Sequence, residues 1–237
     1  MKPYYQHAGI TIYHGDCLEV LDAVPARADA VVSDPPFAFA GGISNGIRSI
    51  ADGQFFEHWL GSVFRSLHAC CRPEAAWMLW CDWRTAAIYD RVLAKGATDS
   101  YDARAVSQVL IHDREMVGMG SPFRNQTDWV ALVRGKGTDF GDRIPKNQPN
   151  IFRGYWYYGK HEHHPSEKDP TVAARLAEWI SDEGQLVLDP FAGSGSTLIG
   201  CKNSGRRAIG IEIEERYCEI AAKRLSQEVL DFTEQPA

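Results

Sequence analysis

The sequence predicts an α/β fold built on a mostly parallel sheet covered by helices on both faces. Three observations predict it. Short apolar runs of strand character alternate with longer runs of helical spacing along the chain. Two of the strand-like runs stop at turns that no central strand continues through, Asp34-Pro35-Pro36-Phe37 and Asp189-Pro190-Phe191-Ala192-Gly193-Ser194-Gly195. The chain has 237 residues, 44% hydrophobic and 24% charged, enough apolar material for one large globular domain.

Taken in order, Ile10–His14 reads as a strand and Asp16–Ala23 as a short helix. Ala30–Ser33 is a buried strand, and Gln54–Cys71 has helical apolar spacing through Phe55, Trp59, Val63 and Leu67. Ala75–Trp80 is a strand; Trp83–Ala94 is a helix stopped by Gly96. Ala105–His112 and Trp129–Arg134 read as strands, whereas 135–160 lacks periodicity and reads as a long insertion. Thr171–Ile180 is helical, Leu186–Leu188 a buried strand, Thr197–Asn203 a helix, Ala208–Ile213 a strand and Glu215–Leu230 a final amphipathic helix.

Bulk properties exclude several classes. No apolar run approaches the ~18 residues that a membrane span needs. The opening MKPYYQHAG has no apolar stretch after Lys2, so it is not a secretion signal, and the chain is expected to be cytoplasmic. Cys17, Cys70, Cys71, Cys81, Cys201 and Cys218 form no CxxC pair and are expected to be buried free thiols. The His161-Glu162-His163-His164 cluster lacks ligand spacing, so no metal is expected. Net charge is −6, but residues 114–160 carry eight Lys or Arg against four Asp or Glu. That region is interleaved with Phe123, Trp129, Phe140, Phe152, Tyr155, Trp156, Tyr157 and Tyr158, as a phosphate-contacting surface or an anchored solvated loop would be.

Both unusual turns sit at strand ends, where open α/β sheets bind their ligands. Neither proline at 35–36 can donate to a ladder, so the turn holds Asp34 and Phe37 at a fixed separation. In the second turn Gly193 and Gly195 allow a sharp bend and close approach of a ligand. A dinucleotide fingerprint needs a third glycine where Leu198 stands, and the Gly-Lys-Ser/Thr of a phosphate loop is missing. Glu212 ends the next strand, where an acid accepts from ribose hydroxyls. Asp189, the glycine turn and Glu212 together suit an adenosine with a non-phosphate appendage, as in S-adenosylmethionine.

The ordered set of motifs resembles the amino-group (N6-adenine/N4-cytosine) DNA methyltransferases, in the group whose catalytic motif precedes the cofactor motif. The resemblance rests on DPPF at 34–37, LDPFAGSGST at 188–197, GIEIEERYCEIAAKRL at 210–225, HPSEKDP at 164–170, HGDCLEVL at 14–21 and GMGSPFRNQTDWVALVRGKG at 118–137. It departs at Asp169, which intervenes before Pro170, at Ser196 where threonine is common, and at Phe37 where tyrosine is usual. The resemblance implies a Rossmann-like S-adenosylmethionine-dependent methyltransferase fold with a seven-stranded, mostly parallel sheet, one antiparallel strand and a circularly permuted motif order. It implies one domain over 1–237, with a small target-recognition insertion at about 135–160. Ile10–Asp16 would lie beside the carboxyl-terminal half in the sheet.

For the site, the resemblance implies that the Asp34 side chain and the Pro35 carbonyl accept from the two N–H bonds of an exocyclic amine. Pro36 would stiffen the frame and Phe37 would stack on a base flipped out of double-stranded DNA. Asp16 would face the cofactor adenine, and His164, Ser166 and Lys168 would sit near its methionine end. Asp189, Phe191, Gly193, Ser194, Gly195, Ser196, Thr197 and Glu212 would supply the rest of the cofactor site. Arg114, Arg124, Lys136, Arg143, Lys146 and Arg153 are the candidates for DNA contacts. An acid at the head of the motif accompanies adenine-N6 specificity and serine accompanies cytosine-N4, so adenine is expected; cytosine-N4 transfer and an inactive DNA-binding protein are the alternatives. No nuclease motif is present, so a restriction endonuclease partner would be a separate chain. Dimers are common in the group.

Overall fold

The computed structural model describes residues 1–24, 27–37, 53–96, 104–118, 122–154 and 167–227. The elements run β1 (Tyr5–His7), β2 (Ile10–His14), α1 (Cys17–Ala23), β3 (Ala28–Ser33), α2 (Gly53–Cys70), β4 (Cys71–Cys81), α3 (Trp83–Gly96), β5 (Val106–Asp113), β6 (Thr127–Val133), β7 (Ile151–Arg153), α4 (Pro170–Ile180), β8 (Leu186–Asp189), α5 (Ser196–Asn203), β9 (Arg207–Glu212) and α6 (Glu215–Ser226). The strands form one sheet in the order β1-β2-β9-β8-β3-β4-β6-β5-β7. β2, β9, β8, β3 and β4 are mutually parallel, and β6 is antiparallel to both β4 and β5.

Among the described residues the sheet has nine strands where seven were expected. The additional strands are the three-residue edges β1 and β7, too short to show an alternation. β1 folds back on β2 with Ala8 at φ 48 and Gly9 at φ 79, the left-handed pair that a two-residue hairpin needs. Alanine at the first of these positions hides the turn from a sequence reading.

The period of two sorts the central strands onto two faces. Val31, Trp77 and Leu79 point toward Phe56, Leu60, Val63 and Tyr89 of α2 and α3. Ala30, Val32, Met78 and Trp80 point toward Leu176 and Ala177 of α4, Leu198 of α5 and Leu225 of α6. Each fully buried aliphatic side chain contributes about 1.5–3 kcal/mol, which fixes the register because a one-residue slip would turn every side chain to the other face. All six cysteines are free and buried, as expected. Burial pushes the Cys17, Cys71, Cys81 and Cys218 thiols up to about 12, far from reactive thiolates. Among the described residues, no helix is long and apolar enough to cross a membrane.

The topology places the site. From β8 the chain winds through α5 to β9, and from β3 it winds the other way through α2 to β4. The order therefore reverses between β8 and β3, and the crevice above their carboxyl ends is where such sheets bind ligands.

Candidate active site

The strand carboxyl ends are lined with acids: Asp16 after β2, Asp34 after β3, Asp82 after β4, Asp113 ending β5, Asp189 ending β8 and Glu212 ending β9. Two are used structurally at once. Asp82 Oδ1 accepts from Thr85 N at 2.7 Å and starts α3. Asp16, in the turn after β2, accepts from Leu18 N at 2.8 Å and caps α1, worth about 1 kcal/mol. Gly15 N donates to Glu212 O at 3.0 Å, which sets Asp16 beside the tip of β9.

Asp189 and Ser33 bridge the crevice. Ser33 Oγ donates to Asp189 Oδ1 at 2.6 Å, and Phe191 N reaches the same oxygen at 3.1 Å. The Thr197 hydroxyl also bonds the carboxylate. Burial raises the Asp189 carboxyl to about 6 in spite of these donors, and the Asp34 charge adds to the rise. Asp189 and Thr197 thus hold the glycine turn to β3, one residue from Asp34.

The turn itself has a defined lining. Glu212 Oε2 accepts from Gly193 N at 2.9 Å and Oε1 from Glu214 N at 2.8 Å, and burial raises this carboxyl despite those bonds. Ser194 O and Oγ accept from Arg224 Nη1 on α6, at 2.7 and 3.1 Å. Arg224 Nη2 also pairs with Glu167 Oε1 at 2.7 Å, joining the turn to the segment before α4. Phe191 packs against Trp59 with ring centroids 5.8 Å apart. The glycines differ in kind. A Cβ on Gly195 (φ +87) would lie 2.8 Å from the Ala221 Cβ, so that glycine lets α5 and α6 pack. A Cβ on Gly193 (φ +51) would meet nothing within 4 Å, so that glycine faces open space. Nearby, the Ser196 Oγ is buried without a hydrogen-bond partner.

Across the seam, Pro35 is buried and Asp34 keeps 25% of its side chain exposed. Asp34 Oδ2 lies 3.3 Å from Lys168 Nζ, and Oδ1 is buried with no hydrogen-bond partner. Burial pushes the Asp34 carboxyl up while Lys168 pulls it down. The Lys168 ammonium sits 5.8 Å over the Phe37 ring and 5.0 Å over Trp80. Lys168, expected near the methionine end of the cofactor, places its charge against Asp34. His164 and Ser166 lie outside the described residues.

Sequence reasoning missed what stands behind Lys168. Asp128, in β6, lies 3.7 Å from His112 Nδ1 and 3.8 Å from Arg114 Nε. Burial works to raise the Asp128 carboxyl, but His112, Lys168 and Arg114 hold it below its usual range. His112 is buried, stacked on Phe152 at 5.2 Å and edge-on to Trp80 at 5.8 Å. Asp128 is the second residue of β6, so only knowledge that β6 runs antiparallel puts it on the same edge as Asp34.

The basic candidates divide between the two edges of the sheet. Arg114 and Arg124 lie in the β5–β6 connection on the site's edge, donating to Asn125 O at 2.9 Å and Gly118 O at 2.7 Å. Phe123 beside them is 87% exposed. Arg153, 73% exposed at the carboxyl end of β7, pairs loosely with Asp113 and Glu115 at 3.8 and 3.6 Å. Lys136 is held at the far edge, where its N donates to Pro73 O at 2.8 Å near the start of β4. Arg143 is bound there too, both Asp182 oxygens accepting at 2.8 Å. Lys146 is exposed between them and β7. Of the expected insertion 135–160, the described part returns to the site's edge only at β7, and residues 155–160 lie outside the described residues.

Residues 134–223 match the DNA methylase family. The sequence is 45% identical to the type II methyltransferase M2.DpnII of Streptococcus pneumoniae over 96% of this chain and 93% of the relative. It is 26% identical to the DNA adenine methyltransferase YhdJ of Escherichia coli over 91% of this chain and 82% of that protein. Among solved structures, an M1.HpyAVI–SAM complex matches with a TM-score of 0.69 at 22% identity, covering 92% of this chain and all (100%) of that one. The cytosine-N4-specific PvuII DNA methyltransferase matches with a TM-score of 0.77 at 16% identity, covering 97% and 90%. At these identities the structural likeness speaks to the fold.

Proposed function

The chain belongs to the N6/N4 amino DNA methylases, and from that premise we propose that it transfers a methyl group from S-adenosylmethionine to the N6 amine of an adenine flipped out of DNA. The observation that carries the reading is the seam between β3 and β8. It sets the unpartnered Asp34 Oδ1 on one side and the open face of Gly193 on the other, joined by the Ser33–Asp189 bond.

The residues of the turn fit the donor. The backbone at Gly193 leaves room that a side chain would take, and the orphaned Ser196 Oγ is a polar atom that a ligand can satisfy. Gly193, Ser194, Phe191, Ser196 and Glu212 would hold the cofactor, with Asp16 beside them. When bound, S-adenosylmethionine supplies a methyl group on a positively charged sulfur. The protein's task lies on the other side. An exocyclic amine is a poor nucleophile because its lone pair is spread into the ring. Asp34 Oδ1 and the Pro35 carbonyl accept its two N–H bonds and favour a pyramidal nitrogen, in a frame stiffened before the base arrives. Phe37 stacks on the extruded ring, worth about 1–3 kcal/mol. The Asp34 carboxylate also stabilises the positive charge that grows on the nitrogen, and it accepts the proton that the methylated amine must lose, passing it on to water, so that the neutral N6-methyl product leaves.

Adenine is favoured over cytosine because an acid, Asp34, heads the motif, and the adenine-directed relative supports the same choice. Arg114, Arg124 and Arg153 are the basic residues that share the site's edge, and we assign them the phosphate contacts; Lys136 and Arg143 sit at the other edge, where Arg143 pairs with Asp182. The type II name of one relative favours a separate restriction endonuclease as partner. The decisive experiment incubates the protein with labelled S-adenosylmethionine and unmodified DNA, then separates the nucleosides. N6-methyladenine is the expected product; N4-methylcytosine would replace the base assignment, and absence of label would remove the reading.

The two glycines should part company in the same assay. Gly195→Ala is expected to lower the melting temperature, since its methyl collides with Ala221. Gly193→Ala costs only about 1–2 kcal/mol for its left-handed backbone and should instead weaken S-adenosylmethionine binding. Calorimetric titration beside a thermal melt distinguishes them, and equal loss of binding at normal stability in both would refute the distinction.

A further inference from the structure

We propose that Lys168 is a positioning residue: its ammonium takes one oxygen of the Asp34 carboxylate and thereby aims the other at the target amine. The inference rests on the methyl-transfer reading and deepens it, by giving the two oxygens different tasks. Lys168 Nζ lies 3.3 Å from Asp34 Oδ2, while Oδ1 is buried with no hydrogen-bond partner. A carboxylate with neither oxygen bound turns easily about its Cβ–Cγ bond, because that torsion is broad. With Oδ2 held by a cation, the plane of the group is fixed and Oδ1 is left as the acceptor. The ammonium can hold it because it is itself held. Trp80 and Phe37 present their rings to Nζ at 5.0 and 5.8 Å, and only 14% of the lysine side chain is exposed. The residues on either side are anchored too. Glu167 Oε1 accepts from Arg224 Nη2 at 2.7 Å, and Arg224 Nη1 donates to Ser194 O in the glycine turn at 2.7 Å. Asp169 caps α4, its Oδ1 accepting from Thr171 N at 2.7 Å. Three consecutive side chains thus have separate duties: Glu167 ties the segment to the glycine turn, Lys168 reaches Asp34 and Asp169 starts the helix. The ion pair also keeps Asp34 an acceptor. Burial pushes its carboxyl toward the protonated form, which would offer a donor to a donor, and Lys168 opposes that.

The test compares kcat/KM of Lys168→Met with wild type across pH, since kcat/KM reports the free enzyme. Asp34 is faced by Lys168 ahead of α4, Asp128 on β6, Asp189 at the tip of β8, Cys81 at the end of β4 and Tyr89 on α3. Cys81 and Tyr89 are pushed up by burial and stay uncharged over the working range. Titrations common to both proteins, that of Asp189 among them, cancel in the ratio of variant to wild type. Lys168 lowers the Asp34 carboxyl, so its removal raises it, by about one pH unit or more. The ratio is therefore expected to fall by about tenfold or more as pH descends from 8 to 5, and to stay flat for Lys168→Arg, which keeps the charge. At pH 8 and saturating S-adenosylmethionine, kcat of Lys168→Met is expected to drop about 10- to 100-fold, the cost of a misaimed group. Affinity for S-adenosylmethionine, read by calorimetry, should change little. A flat Lys168→Met ratio overturns the proposal, and so does a loss confined to cofactor affinity. Should Lys168→Met fail to fold, Asp34→Asn/Lys168→Met, which strands no charge, is compared with Asp34→Asn alone. Residual rates within about threefold of each other show that Lys168 acts through the carboxylate, and a larger further loss overturns it. A wild-type protein that labels no DNA sinks the methyl-transfer reading itself, and is told apart by leaving no rate to compare.

Discussion

Asp34→Asn is expected to reduce methyl transfer to DNA by about 100- to 1,000-fold, the loss that follows removal of one preorganised electrostatic group. The amide keeps the shape of the carboxylate, so the effect is electrostatic and not one of packing. It loses the charge that offsets the cation forming on the amine, and in one rotamer it presents N–H groups to N–H groups. Oδ1, now a buried acceptor without a partner, is the atom at stake. Cofactor affinity should persist, because the Gly193 turn is held by Glu212, Asp189 and Arg224 and not by Asp34. Stability should fall modestly, since Lys168 loses its 3.3 Å partner. Initial rates of label incorporation at saturating cofactor, beside a thermal melt, check both parts. A rate within a factor of a few of wild type would remove Asp34 from the chemistry.

Asp189→Asn is expected to stabilise the unliganded protein at pH 8 and to leave it nearly unchanged at pH 4. Burial raises the carboxyl to about 6 in the folded chain, against about 3.9 when unfolded. Folding therefore favours the protonated form. The stabilisation that this form gives is complete below pH ~4 and is lost as pH climbs through 6, which amounts to on the order of 2–3 kcal/mol at pH 8. Asparagine is never ionised and escapes the loss. Its carbonyl can accept from Ser33 and Phe191, and the Thr197 hydroxyl can turn to accept from its amide. Urea titrations at the two pH values measure the difference. Equal stability of wild type and variant at pH 8 would show that Asp189 is ionised in the fold at no cost.

Much of the fold was legible because the relevant signals are local. The buried strands β3 and β8 end where prolines cannot donate, and both turns fall on the carboxyl edge that the alternation of elements implies. β7 was not legible, since three residues cannot display a period. Asp34 and the glycine turn stand out from their residues alone, but which glycine serves packing depends on Ala221, 26 positions away from Gly195. Asp128 escaped because the edge on which a strand begins depends on its direction, and only β6 among the inner strands is reversed. Lys136 and Arg143 belong to a basic stretch that looks uniform in sequence, yet the chain carries them to the other end of β4 and β8 before returning at β7.

The Ser33–Asp189 bond joins two central strands that are themselves buried and parallel. The gap that the methyl group must cross is thereby a property of the scaffold's innermost seam. The connections to which we assign the DNA contacts hang outside it, on β5, β6 and β7. On that assignment, reading head and transfer chemistry are mechanically insulated, and the former could be exchanged, lengthened or re-aimed by evolution while the distance travelled by the carbon atom stays as it was.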